Sequence, residues 1–212
     1  SAYLGIGAAD MQGTVYDALF AENVRLADVI ISTATAGLDI APATADLAGA
    51  EILLMDRFAD RRHSIVSDAL RALAAQYDYV LMDTPPGLQL LSVAAMLAAQ
   101  EIIIPQQCSF LALHGLRQLL ENIERTQTQL GAQVRICGIV MTMQDRRTVH
   151  NRQVIDMVRG GFGPLVFDTI IPTSIRFQEA VAAHQSILAY DPQSPGAAAY
   201  RRLAEEVIAR GS

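Results

Sequence analysis

Long hydrophobic runs are missing from this 212-residue sequence, tryptophan is absent, and cysteine occurs only twice. A membrane-crossing helix needs roughly 20 consecutive apolar residues, and every apolar run here falls far short of that. No charged segment followed by an apolar one opens the sequence, so no export signal is read there and the expectation is a cytoplasmic protein. Cys108 and Cys137 stand 29 positions apart, without the paired spacing of a zinc site, and are expected to be reduced and buried. His63, His114, His150 and His184 fall on four separate segments with no two on one helical turn, which gives no support to metal or acid–base roles. A Gly-x-Ser-x-Gly elbow is also missing. Positive charge is in the minority. With 16 basic and 22 acidic residues the net charge is −6, which opposes a globally basic nucleic-acid binder and confines any DNA contact to a local patch.

What is present is apolar bulk. Apolar residues make up 51% of the sequence and charged ones 18%, enough for a sizeable core, and the length suits a single domain over 1–212. From residue 37 onward, short β-rich runs alternate with amphipathic helical patterns, the mark of repeated βα units. The expected fold is therefore α/β, a mostly parallel central sheet with helices on both faces. Expected strands cover 38–41, 79–83, 101–105, 134–141 and 165–171. Helical spacing puts Val66, Ala69, Leu70, Leu73 and Ala74 on one stripe, and Leu113, Leu116, Leu119, Leu120 and Ile123 on another. After a loop at 190–196 containing two prolines and a glycine, Tyr200, Leu203, Ala204, Val207 and Ile208 repeat at helical spacing. This last helix also carries Arg201, Arg202 and Arg210, but Glu205 and Glu206 share its polar face and no Trp or Phe lines its apolar one. Docking on the core is favoured over a stable membrane anchor.

The strongest local signal is the apolar run Tyr79-Val80-Leu81-Met82 ending in Asp83 and followed by Thr84-Pro85-Pro86-Gly87. In a parallel α/β sheet ligands gather at the carboxyl ends of strands, so an acid there faces the binding crevice. Such a carboxylate can hold a metal ion or a metal-bound water beside nucleotide phosphates, and the prolines stiffen the loop that follows. The alternative is an acid that caps the next helix or faces solvent. A phosphate-binding partner loop needs glycines, a lysine and a Ser or Thr, and none is found. Residues 4–10 hold two glycines but neither a Gly-Lys pair nor a preceding strand, and read as a loop or turn.

The run Tyr77-Asp78-Tyr79-Val80-Leu81-Met82-Asp83-Thr84-Pro85-Pro86-Gly87-Leu88 resembles the Walker B and switch II region of the ParA/Soj partition ATPases of the MinD/ParA superfamily. Further blocks match in family order: Asp46 to Glu51, Ile104 to Cys108, Ala112 to Leu116, Met141 to Thr148, Ile171 to Arg176, and Tyr190 to Pro192. The resemblance implies a P-loop NTPase fold of the deviant Walker A class, with the first strands and the P-loop absent from this sequence. It also implies Mg²⁺-dependent ATP hydrolysis and a nucleotide-switched homodimer that binds DNA non-specifically at the nucleoid under a ParB-like stimulating protein. On the matched positions, Asp83 would be the catalytic carboxylate serving Mg²⁺, directly or through water. Thr84 and Pro85 would belong to the loop that senses the γ-phosphate, Pro172 and Ser174 would lie on the adenine side, and Arg147 and Arg176 would contact DNA phosphates. Arginine suits that last task because its planar fork reaches phosphate oxygens while staying charged.

Three positions depart from the family. Ser174 stands where relatives usually carry Asn, Ser109 replaces a common acidic residue, and Thr173 replaces an Arg. On charge alone, Arg147 pairing with Asp145 or solvent and Arg176 solvating a helix start are the favoured readings, and the family match reverses that preference. In the ParA-like fold the P-loop strand lies beside the strand ending in Asp83, so without it that strand lacks a neighbour. A second function is therefore open, a non-catalytic ParA-like interaction module that binds a partner protein or DNA without ATP turnover.

Overall fold

A computed structural model describes residues 6–7, 10–73, 75–85, 87 and 89–211. Leu4, Gly5, Ala8, Ala9, Ala74, Pro86 and Leu88 of the motifs above lie outside the described residues. Gly7 and Asp10 close a turn, the Gly7 N–H donating to the Asp10 carboxylate at 2.8 Å. The chain divides into two compact units, one from the described residues of 1–100 and 132–134, the other from those of 101–131 and 135–212.

The first unit is mainly helical. Helix α1 (Val15–Phe20) begins on a capping box, in which the Thr14 hydroxyl accepts from the Asp17 N–H while the Asp17 carboxylate accepts from the Thr14 N–H. Helices α2 (Ala50–Asp56), α3 (Ile65–Leu70) and α4 (Leu90–Ala98) follow, and the two-residue strands β1 (Ile31–Ser32) and β2 (Asp39–Ile40) pair antiparallel. Leu19, Leu54, Ile65, Val66 and Ala94 form the core, with Phe20 set edge-on to Phe58 at 5.4 Å. The first turn of α4 has no internal acceptors for its N–H groups. Glu51 on α2 supplies them, accepting from Leu90 at 3.0 Å and Leu91 at 3.1 Å.

The strand expected at 38–41 shrinks to Asp39–Ile40, and the strand expected at 79–83 does not form. Residues 79–83 are without regular structure, and Leu81 is 86% exposed. The physical reason is pairing. An apolar run becomes a strand only when a neighbour takes up its N–H and C=O groups, and no described strand lies alongside this one. The run's β-propensity alone is too weak to hold it.

The second unit is the α/β part. Strands β3 (Glu101–Gln107), β4 (Arg135–Gln144) and β5 (Val166–Pro172) make a parallel sheet in that order. Crossovers run through helices α5 (Phe110–Leu130) and α6 (Val149–Phe162). Helices α7 (Ile175–Ala182), α8 (Ile187–Tyr190) and α9 (Pro195–Gly211) follow β5. The parallel α/β class read from the alternating pattern is thus the observed one. Helix α5 buries Leu116 and Ile123 as its stripe demands, and ends on Gly131 in the left-handed region at φ 67°. Cys137 and Cys108 are buried and free. Burial pushes the Cys108 thiol up to about 11, so it is protonated at neutral pH.

The ladder slips three times. Between the pairs Ile102↔Ile136 and Ile103↔Gly138, β4 carries one extra residue. Between Ile139↔Val166 and Met141↔Ile170, β5 carries two extra residues. Between Met141↔Ile170 and Gln144↔Pro172, β4 again carries one, and there Met143 adopts φ 55°, the left-handed geometry of a bulged residue.

Helix α9 repairs the middle slip. Both oxygens of Glu206 accept from the freed N–H groups of Asp168 and Thr169, each at 2.8 Å. Arg210 donates to the carbonyls of Cys137 at 2.9 Å and Val166 at 2.9 Å and lies over the Phe167 ring at 4.0 Å. Its own carbonyl accepts from Arg135, which also pairs with Glu101.

The inward face of α9 is therefore Ala199, Leu203, Glu206, Val207 and Arg210, rotated from the purely apolar stripe expected. Tyr200, Ala204 and Ile208 are exposed. The slipped strand offers polar groups, and two charged side chains turn inward to meet them.

Gly138 leaves room for this arrangement. A Cβ there would stand 2.5 Å from Arg210 Nη1 and 2.6 Å from the Phe167 ring. Gly138→Ala is expected to destabilise by about 1–3 kcal/mol or more through overpacking, read as a lower urea midpoint at unchanged slope. Glu206→Ala, which strands two amide donors, is expected to cost at least about 1–3 kcal/mol in the same assay.

Candidate functional site

Parallel strands bring their carboxyl ends to one edge of the sheet, so the residues after β4 and β5 are neighbours although about 30 positions separate them in the sequence. Gln144 ends β4 and Asp145, Arg146 and Arg147 follow it, while Pro172 ends β5 and Thr173 and Ser174 follow; together with Pro195 and Gly196 at the start of α9 they line a cleft of about 340 Å³. The Thr173 N–H donates to the Gln144 carbonyl at 2.9 Å and draws the two segments together. Three of the residues singled out in the sequence, Arg147, Pro172 and Ser174, thus share one cleft.

The Ser174 hydroxyl acts as the N-cap of α7, accepting from the Arg176 N–H at 3.2 Å. Arg147 curls back on its own loop: Nε and Nη2 donate to the two Asp145 oxygens at 3.1 and 3.2 Å. The guanidinium holds the Asp145 carboxyl below the usual carboxylate range, chiefly through these hydrogen bonds. The Arg147 side chain is still 91% exposed, so the pair is a surface pair of small energy.

Arg176 lies outside this cleft and is also paired. It donates to Glu179 Oε2 at 2.8 Å and sits 3.6 Å from Asp191 Oδ2. Its side chain is half exposed and held by two carboxylates from α7 and the loop before α9.

Asp83, Thr84 and Pro85 belong to the first unit, where all three are exposed. The Asp83 carboxylate has no hydrogen bond or ion pair among the described residues, which leaves its oxygens available to a hard cation or a water on one. No group of three or more His, Cys, Asp or Glu able to hold a metal occurs among the described residues. A magnesium ion at Asp83 would thus take its remaining ligands from phosphate oxygens and water, the usual arrangement for Mg²⁺ at a nucleotide. No helix among the described residues is long and apolar enough to cross a membrane.

One residue that sequence reasoning passed over organises the cleft. Asn151, the third residue of α6, accepts from the Asp145 N–H at 2.6 Å and donates to the Cys108 carbonyl at 2.9 Å. It ties the end of β3 to the loop carrying Arg146 and Arg147. No local signal marks it, since an Asn in the first turn of a helix is ordinary and its partner lies 43 positions away. Asn151→Ala is expected to speed hydrogen exchange at the Asp145 amide and to lower stability by about 1–3 kcal/mol. Asn151→Asp, which keeps the acceptor but loses the donor to Cys108, should retain most of the Asp145 protection.

A family profile described as an AAA domain matches residues 1–136. Over 209 residues the chain is 44% identical to the chromosome partitioning protein ParA of Caulobacter vibrioides, covering 98% of this chain and 77% of that protein. It is 41% identical over 208 residues to the sporulation initiation inhibitor protein Soj of Bacillus subtilis, covering 98% and 81%. Among solved structures, cobyrinic acid a,c-diamide synthase from Mycobacterium smegmatis, with bound ATP analog and magnesium, superposes with a TM-score of 0.79 at 30% identity. That match covers 96% of this chain and 74% of the other. Matches of this extent and identity, on a parallel α/β sheet with the expected motifs in order, assign the chain to the ParA/Soj family of partition ATPases.

Proposed function

We propose that this chain is the larger part of a partition ATPase whose ATP- and Mg²⁺-dependent dimer binds DNA non-specifically and answers to a ParB-like stimulating protein. The observation that carries the reading is identity of 44% to a ParA and 41% to a Soj across nearly the whole chain. A structural relative with an ATP analog and magnesium bound supports the choice of cofactors. On this reading residues 1–212 belong to one ATPase domain. Asp83 serves the magnesium ion, Thr84 and Pro85 form the loop that responds to the γ-phosphate, and Pro172 and Ser174 lie beside the adenine. Arg147 and Arg176 offer their guanidinium groups to DNA phosphates.

The chemistry asks for one more part. Nucleotide phosphates need a glycine-rich loop of backbone N–H groups with a lysine, and this sequence contains no lysine at all. The reading supplies that loop from a segment outside these 212 residues, on a strand laid against 79–83, where the backbone has no ladder partner. The bound nucleotide and metal supply phosphoryl-transfer chemistry; the residues of this chain orient and hold. The competing reading is a ParA-like module that binds partners without nucleotide, and the same absence of lysine favours it.

Thermal stability with a non-hydrolysable ATP analogue and Mg²⁺ separates the two. The chain alone is expected to show no shift. Fused behind the strand and P-loop of the Caulobacter ParA, it is expected to gain about 2.7 kcal/mol at a hundred times the dissociation constant, and to lose that gain in Asp83→Ala. A shift in the chain alone that Asp83→Ala removes would sink the claim that a loop is missing. No shift in the fusion supports the non-catalytic module.

A further inference from the structure

Of the residues lining the cleft of about 340 Å³ at the ends of β4 and β5, Gln144 alone carries a side-chain amide. Its Cα pairs with that of Pro172 in the ladder, and its carbonyl accepts from the Thr173 N–H at 2.9 Å. It therefore stands beside the segment assigned above to the adenine. The amide itself makes no hydrogen bond among the described residues.

The other polar groups of the cleft are spent or of the wrong kind. Both Asp145 oxygens accept from Arg147, the Ser174 hydroxyl accepts from the Arg176 N–H, and the Thr173 N–H is taken by Gln144. Arg146 and Arg147 only donate, and a Ser or Thr hydroxyl presents a single atom. A carboxamide alone sets a donor and an acceptor side by side in one plane. Pro172, Pro195 and Gly196 add walls without polar side chains, and Gly196 is kept bare by the Phe177 ring, 2.6 Å from where its Cβ would stand. The cleft volume falls in the range of roughly 300–1,000 Å³ usual for small-ligand sites.

We propose that Gln144 reads the purine base, an inference that rests on the nucleotide-binding reading above. Its Oε1 accepts from the N6 amine of adenine while its Nε2 donates to N7, the two-point pairing by which a carboxamide selects adenine. Guanine presents two acceptors on that edge, O6 and N7, so one of the two contacts turns into a meeting of acceptors. The base is chosen by the last residue of β4, a position fixed by the ladder rather than by a loop. Gln144 acts on specificity and takes no part in phosphoryl transfer.

The test uses the fusion described above, with Mg²⁺, and compares dissociation constants for non-hydrolysable ATP and GTP analogues and for the 7-deaza form of the ATP analogue, which lacks the N7 acceptor. The unsubstituted fusion is expected to favour the ATP analogue over each of the others by about tenfold or more. Gln144→Glu, which keeps the acceptor for N6 and loses the donor to N7, should bind the ATP analogue about tenfold more weakly and lose the preference over the 7-deaza form. Gln144→Arg, which brings two donors for O6 and N7, should turn the preference toward the GTP analogue. Both variants are compared at an unchanged urea midpoint. A ratio of ATP to GTP affinity unmoved in the two variants overturns the role of Gln144 and leaves the nucleotide reading standing. Equal binding of the ATP analogue and its 7-deaza form by the unsubstituted fusion overturns the contact at N7 and the proposal with it. An unsubstituted fusion that binds none of the three overturns the nucleotide reading as well.

Discussion

Backbone hydrogen bonding in a short parallel sheet whose ladder slips three times is the constraint on which the second unit depends. Each slip frees N–H or C=O groups, and an amide left unpaired where it is buried costs as much as a lost hydrogen bond or more. The chain meets the need with side chains at fixed places. Glu206 takes the two amides of the β5 bulge, Arg210 takes carbonyls of β4 and of the start of β5, and Asn151 spans the ends of β3 and β4. The helices then follow. Helix α9 must present a carboxylate and a guanidinium one turn apart to the sheet, which sets its rotation. Gly138 must stay small because the Arg210 fork and the Phe167 ring occupy the space a Cβ would fill.

The same requirement acts in the opposite direction at 79–83. Here an apolar run with every local mark of a strand stays exposed and irregular, because β-structure is a property of pairs. Its exposed apolar side chains and open backbone describe one half of a ladder. The proposed function needs a phosphate loop on a neighbouring strand, and the run without a strand partner among the described residues falls on the motif that resembles the family's Walker B region. Glu51 shows that the helix after this motif is held independently, since its carboxylate caps α4 whether or not 79–83 is paired.

How far the sequence could be read follows from which interactions are local. Strands β3, β4 and β5 lie where alternation placed them, extended by one to three residues, because each is an apolar run flanked by turn formers and long enough to be covered by a crossover helix. The α5 stripe was legible for the same reason. The α9 face was not, since Glu206 and Arg210 point inward only in answer to a bulge whose position depends on register between strands. Asn151 escaped notice likewise, as its meaning lies in a carbonyl 43 positions upstream. At the candidate site, the resemblance set Pro172 and Ser174 on the adenine side and Arg147 with Arg176 toward DNA; that Arg147 shares a cleft with Pro172 and Ser174 follows from the parallel pairing of β4 and β5, which no local signal reveals. The Asp145–Arg147 pairing was one of two options that spacing left open.

That pairing bears on how an acidic protein can hold a polyanion. With a net charge of −6 the long-range field repels DNA, so affinity has to come from contacts closer than a screening length of about 10 Å. Asp145 and the Glu179–Asp191 pair lie against the two family-matched arginines and act as internal competitors for any phosphate. An exposed pair of this kind is weak, so competition lowers affinity without abolishing it and weakens as salt screens the pair.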